Sequence, residues 1–419
     1  MKHRWQFGII AGIFLVVFSL YPQFKLLYIR GNDWQGNYAY NDIDEVAYAA
    51  YVKALMDGRP RKNDPYTGRD DSPQHPQPES LFSIQFAAPY TLAIPARLLG
   101  ISTPWIMTIG GAIAAFLTGL AIFWFLGMFT GDSLFAMAGT LAVICGGALA
   151  AGEGAINEIL FDGFSYPYFP GFRRYIPALA FPAFFALVGL VWKLLRDRTP
   201  NEGVEDPSPK FSLSRLLLIS LSALAFGYTV FSYFYVWTTA VAWLGSFGLI
   251  WLIVRPAGVG RDIRDLAALG AGCIVFLIPY AYLLSKRSAT MDEVQLLVRT
   301  HAPDLARFPE YISIVVIVLL AAGVVWGKIG LREKGTLFVF SLAVVPLIVF
   351  NQQVITGQSL QPIHYQVFIG NYVAGLALVS AVGLLMRDVV LAGKWPVKFA
   401  IAITAVVSIA WGFVECHYT

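Results

Sequence analysis

Eleven apolar runs recur along this chain, each long enough to cross the roughly 30 Å hydrocarbon layer of a bilayer. The first is Trp5 to Leu20; the others lie near 104-127, 133-151, 176-195, 215-232, 237-254, 266-284, 310-326, 335-351, 366-386 and 397-414. The pattern predicts an all-α fold, a polytopic transmembrane helical bundle of about eleven spans. It forms a single membrane domain over residues 1-419, with no separate soluble domain, no internal repeat and no heptad seam. Composition agrees, since 57% hydrophobic residues and a mean hydropathy of +0.62 exceed what a soluble core can bury.

Charge is scarce, at 13% of residues, and the net +4 is spread in short clusters between apolar runs. That distribution argues against a nucleic-acid surface and reads as a set of topology signals. Cys145, Cys273 and Cys416 are far apart, so neither a disulfide framework nor a zinc site is indicated. The first run follows the basic start MKHR, but the YPQFKLLYIR after it offers no small-residue cleavage site, so it reads as a retained anchor.

Residues 80-99, SLFSIQFAAPYTLAIPARLL, are moderately apolar but carry Gln85, Pro89, Pro95 and Arg97. If they spanned, the basic connection from Lys193 to Arg215 would fall outside, against the positive-inside rule. Read as an amphipathic helix in the interface, they let every later connection agree: Arg255, Arg261 and Arg264, then Lys328, Arg332 and Lys334, then Arg387, Lys394 and Lys398 all fall inside. The expected topology has the amino terminus inside, the carboxyl terminus outside, and a first external loop over 28-103 that contains the interfacial helix.

On that topology most acids are external, together with His75, His301 and His364, while the apolar runs are nearly free of charge. A channel or carrier more often keeps its ionisable residues at midmembrane broken helices. A site at the outer boundary of lipid and water is therefore expected. The loop begins with NDIDE, which sets Asp42, Asp44 and Glu45 within five positions at the start of a helical stretch, NDIDEVAYAAYVKALMDG. Acids in a first helical turn are favoured by the helix dipole, which is the plain structural reading of the cluster.

The D-x-D-E of NDIDE, the spacing in EVAY and YAAY, and PQPESL resemble the GT-C superfamily of integral-membrane glycosyltransferases. That superfamily includes protein O-mannosyltransferases, aminoarabinose transferases and oligosaccharyltransferase catalytic subunits. The longer stretch NDIDEVAYAAYVKALMDGRPRKNDPY followed by PQPESL is most similar to bacterial membrane proteins of the same build. The resemblance lies in the amino-terminal half, and the soluble carboxyl-terminal domain of many such enzymes is not expected here. It implies a bacterial cytoplasmic-membrane enzyme that transfers a sugar from a polyprenyl-phosphate donor to an acceptor hydroxyl or amine at the outer face.

That reaction needs a carboxylate to orient or deprotonate the acceptor, or to hold a divalent cation beside the donor phosphate. Asp44 is the first candidate, with Asp42 or Glu45 as partner, and Asp42 with Asp44 as the metal-binding pair. The phosphate needs cations. Lys286 and Arg287 end a span on the outside against the positive-inside trend, and Arg299 and His301 follow in the same loop. Arg173 and Arg174 form a second pair. The structural alternative for both pairs is snorkelling to headgroups.

For the sugar, Glu158 and Asp162 stand four apart and could share one face of a short helix. Tyr233, Tyr235 and Trp237 surround an external turn, where an interfacial aromatic belt would also put rings. Gln361 and His364 lie in an amide-rich loop; a lone loop histidine is more often a solvated surface residue. Two other functions fit the span count: a transporter or flippase of lipid-linked glycans, and a non-catalytic assembly partner.

Overall fold

The computed structural model describes residues 4-40, 44-161, 175-196, 213-289, 291 and 297-418. In lipid no water meets a bare N–H or C=O, so an apolar run closes its backbone hydrogen bonds within itself, as a helix. The chain opens with α1 (Trp5–Arg30), α2 (Asp44–Met56), α3 (Leu81–Ile84), α4 (Ala87–Leu99) and α5 (Thr103–Thr130). Next come α6 (Ser133–Cys145), α7 (Gly147–Ala151), α8 (Ala155–Phe161), α9 (Tyr175–Ala178), α10 (Ala180–Arg196), α11 (Leu213–Val230), α12 (Phe234–Val254) and α13 (Val259–Ser285). After β1 (Val298–Arg299) follow α14 (Phe308–Val325), α15 (Lys334–Asn351), α16 (Gln353–Thr356) and β2 (Gln358–Ser359). The last elements are α17 (Pro362–Tyr365), a π-turn (Gln366–Gly370), α18 (Asn371–Leu385), α19 (Arg387–Ala392) and α20 (Trp395–Tyr418).

Among the described residues, ten helical stretches are long and apolar enough to cross a membrane. The protein is an all-α integral membrane protein. The remaining apolar run, 133-151, forms α6 and α7, interrupted at Gly146. Close approach accompanies the break: a Cβ on Gly147 would stand 2.3 Å from the Tyr372 ring. Side chains on the facing segment take up the carbonyls at this break, Asn371 Nδ2 donating to Gly147 O at 2.9 Å and Gln366 Nε2 to Ala151 O at 2.5 Å.

Packing centres on Phe338 of α15. Its ring meets Phe125 of α5 (5.6 Å between centroids), Trp192 of α10 (5.0 Å), and Trp243 and Phe247 of α12 (5.7 and 5.6 Å). The α1–α5 contact is also close, because Gly12 lets the Phe116 ring lie where a Cβ would be only 2.6 Å away. By contrast α13 and α20 are peripheral, and each buries only 17% of its apolar window.

The bundle has two unlike ends. At the basic end, Arg4 N donates to Ser133 Oγ, Arg196 to Met128 O, and Lys334 to Leu195 O. Two wholly buried carboxylates of α13 sit here. Asp262 pairs with Lys334 at 2.8 Å and accepts from Trp251 Nε1, and Asp265 pairs with Arg215 at 2.5 Å. The expectation of charge-poor spans thus needs correction at the span ends. Helices run past the apolar runs, so Asp262, Asp265 and Glu415 are buried helical residues, and Glu310 is one at the very start of its run. A buried carboxylate is tolerable where cations or N–H donors meet it.

At the other end, here the loop end, Lys25 Nζ donates to His417 O. Residues 80-99 form two helices rather than one, parted at Gln85 and Phe86. Ala87 N donates to Phe231 O at the close of α11, and Leu99 leads through the left-handed Gly100 (φ +67) to Thr103, whose hydroxyl meets Met56 Sδ. Both ends of α4 therefore lie at the loop end.

Candidate functional site

The acid cluster opens α2, where Asp44 is half-buried and Glu45 is buried at 1% exposure. Asp42 lies outside the described residues, as do Asp162, Arg173 and Arg174. Helical spacing sets Tyr48 one turn after Asp44 on the same face, with Tyr51 a further turn on. Both rings pack on Phe82 of α3, at 5.6 and 5.3 Å, and Tyr66 meets the same ring at 6.0 Å. Tyr66 faces Asp44 electrostatically. Burial, followed by the Asp44 and Asp64 carboxylates, raises its phenol pKa, because each disfavours a second negative charge.

A second group forms where α12 begins. The Tyr235 hydroxyl donates to Gln361 Oε1 at 2.5 Å, and the ring stacks on His364 at 4.8 Å and 16°. Tyr365 meets Tyr235 edge-on and shares a 2.8 Å hydrogen bond with Thr238 Oγ1. Tyr233, also buried, packs on Tyr235 and Phe368. These two tyrosines point into the protein, unlike rings of an interfacial belt. Gln361 holds φ +48, a left-handed conformation that a non-glycine residue adopts only when its surroundings insist. The two groups adjoin, since Tyr48 of α2 is within electrostatic reach of Tyr235.

The third group is cationic. Glu79 N donates to Lys286 O at 3.0 Å and Ser288 N to Glu79 O at 3.4 Å, so the first loop is laced to the end of α13. Glu79 itself is buried and takes a forked pair from Arg61, Nη1 to Oε2 at 2.8 Å and Nη2 to Oε1 at 2.6 Å, with Ser83 Oγ donating at 2.5 Å. Burial pushes the Glu79 carboxyl up, but the Arg61 and Ser83 hydrogen bonds outweigh it and hold the pKa below the usual glutamate value. Arg287 lies within electrostatic reach of Tyr280, whose ring meets Trp237 at 5.0 Å. Lys286 is exposed and folds over the Tyr282 ring at 5.7 Å, the posture of a snorkelling lysine.

The remaining candidates fall on two sides of this arrangement. Arg299, exposed, pairs with Gln358 across the short β1–β2 ladder, which joins the loop after α13 to the one that carries Gln361. His301 Nδ1 lies 3.1 Å from Val354 O and helps to hold the same junction. Glu158 is placed elsewhere, on α8 beside Glu415, whose carboxylate accepts from Ala155 N at 3.0 Å. The structure thus brings Asp44, Tyr233, Tyr235, Gln361 and His364 into one region, with Trp237, Lys286 and Arg287 at its flank.

Sequence reasoning missed Arg61, Glu79, Tyr48, Tyr66 and Phe82. Tyr48 carried a signal in its four-residue spacing from Asp44 on a predicted helix, while Arg61, Tyr66 and Glu79 lay unassigned inside the stretches NDIDEVAYAAYVKALMDGRPRKNDPY and PQPESL. Among the described residues no three His, Cys, Asp or Glu side chains gather as a metal site. No protein-family model matches the chain, and no curated protein matches it in sequence.

Proposed function

We propose that this chain is a membrane glycosyltransferase of GT-C type. It moves a sugar from a polyprenyl-phosphate donor to an acceptor hydroxyl or amine at the outer face of a bacterial cytoplasmic membrane. The observation that carries the reading is the meeting at one end of the bundle of three groups: the acid start of α2, the Tyr235–Gln361–His364 cluster, and the turn of Lys286 and Arg287. They come from segments far apart in sequence and match the three needs of the reaction.

In this scheme Asp44 takes the proton of the acceptor as its oxygen or nitrogen attacks the anomeric carbon. The bond from that carbon to the phosphate oxygen breaks, and the electron pair leaves with the polyprenyl phosphate, whose charge Lys286 and Arg287 meet. Aromatic faces and the side-chain amide of Gln361 suit a sugar, which presents apolar faces and hydroxyls by turns. Asp44→Asn keeps the shape but accepts no proton. It is expected to lower turnover by about 100-fold or more in a reconstituted transfer assay while still binding donor. Full activity of Asp44→Asn, with Glu45→Gln and Asp42→Asn equally active, would sink the reading.

Transport of lipid-linked glycans is the second reading, favoured by the break between α6 and α7 opposite the π-turn, a pairing of irregular helices of the kind that transporters use. Labelled lipid-linked glycan crossing proteoliposomes without any covalent transfer would support it instead.

A further inference from the structure

We propose that Arg61 and Glu79 are positioning residues, which hold the Lys286–Arg287 turn at a set place relative to the acid start of α2. The proposal rests on the glycosyltransferase reading for its kinetic consequence and on geometry alone for its structural one.

Glu79 does two jobs at once. Its backbone pairs with the turn through Lys286 O and Ser288 N, and its carboxylate grips Arg61 in a forked pair with Ser83 completing the set. Arg61 in turn is tied to α2, because the Tyr51 hydroxyl donates to Arg61 O at 2.7 Å. Its guanidinium also lies over the Phe86 ring at 5.8 Å, and Phe86 packs on Phe231 at 5.1 Å. A continuous path therefore runs from Asp44 along α2 to Tyr51, Arg61, Glu79 and Lys286.

The pair is suited to hold a position. Its geometry is bidentate, and the Glu79 side chain is only 7% exposed, so the pair is shielded from the screening that weakens surface ion pairs. The nearby Lys53–Asp57 pair is more than half exposed on both sides and spans one turn at the close of α2. Without the Arg61–Glu79 fork, the Glu79 backbone bonds to residues 286 and 288 would lose their side-chain ties to Arg61 and, through it, to α2. The α13 middle is thinly packed and could not replace them.

The test uses the full chain in proteoliposomes, with Arg61→Lys, Glu79→Gln and, as control, Lys53→Gln. A lysine cannot reproduce the fork, so Arg61→Lys is not a conservative change here. Both site variants are expected to raise the donor KM by about 10-fold while kcat stays within about twofold, the loss expected for a charge-assisted bond that positions rather than reacts. Amide hydrogen exchange at Glu79 and Ser288 is expected to quicken by about 10-fold in both, and Lys53→Gln to match wild type in both readouts. Unchanged exchange and unchanged KM overturn the proposal, as does a fall in kcat with KM unaltered. Quickened exchange in a protein that transfers no sugar even as wild type overturns the transfer reading and the kinetic role with it, and leaves the structural clasp standing.

Discussion

The Tyr235 hydroxyl donates to Gln361 Oε1 at 2.5 Å across 126 residues of sequence, while Gln361 holds the left-handed φ of +48. The bond and the strained backbone belong together, since a buried hydroxyl that finds a side-chain acceptor helps to keep that acceptor's backbone where it is. Tyr235→Phe keeps the stack on His364 and removes the donor. It is expected to destabilise the protein by about 1 kcal/mol, and to raise the donor KM if Gln361 reads the sugar. Thermal unfolding and transfer kinetics check the two effects separately; wild-type values in both would mean that the bond holds nothing.

The contacts sort residues into a loop end and a basic end, and the positive-inside rule assigns the basic end to the cytoplasm. Single cysteines in place of Asp70 and Arg332, both exposed and at opposite ends, are expected to react with an impermeant maleimide from outside and inside respectively. Reaction of Arg332→Cys from outside in intact cells would reverse the orientation and leave the site facing the cytoplasm.

The Arg61–Glu79 fork has a pH signature. The Glu79 carboxyl is held below its ordinary value of 4.5, so on acidification the unfolded chain takes up that proton first. The contribution of this group is therefore complete above the ordinary value and is lost as pH falls through the lower folded value. The gap in unfolding temperature between wild type and Glu79→Gln should stay constant from neutral pH to near 4.5, then shrink below it. A gap that persists undiminished far into acid would assign the stabilisation to shape rather than charge.

At the basic end, Lys334 neutralises the wholly buried Asp262 at 2.8 Å. Lys334→Met leaves that carboxylate with less positive charge in a region of low dielectric, and is expected to cost roughly 3 kcal/mol or more. Lys334→Met combined with Asp262→Asn should recover much of the loss, because the buried charge is gone from both sides. Unfolding in detergent measures both, and a double variant no more stable than the single one would argue that the pair does not interact as drawn.

Membrane insertion makes much of this architecture local. A helix in lipid satisfies its own backbone four residues away, so the runs from Trp5 to Tyr418 announce themselves as spans whatever their neighbours are, and only their ends move. The polar bias of the loops was equally legible, as were Asp44 at a helix start and the amides around Gln361. What sequence could not contain was which loops meet. Glu79 finds Lys286, Tyr235 finds Gln361, and Arg299 finds Gln358 only after the helices have packed, with α5, α10 and α12 around Phe338 of α15, and have set their ends side by side. Those encounters depend on side-chain shape across helices and carry no period along the chain. The same holds for the break at Gly146, where a run of nineteen residues reads as one span and only the packed structure sets the ring of Tyr372 beside Gly147.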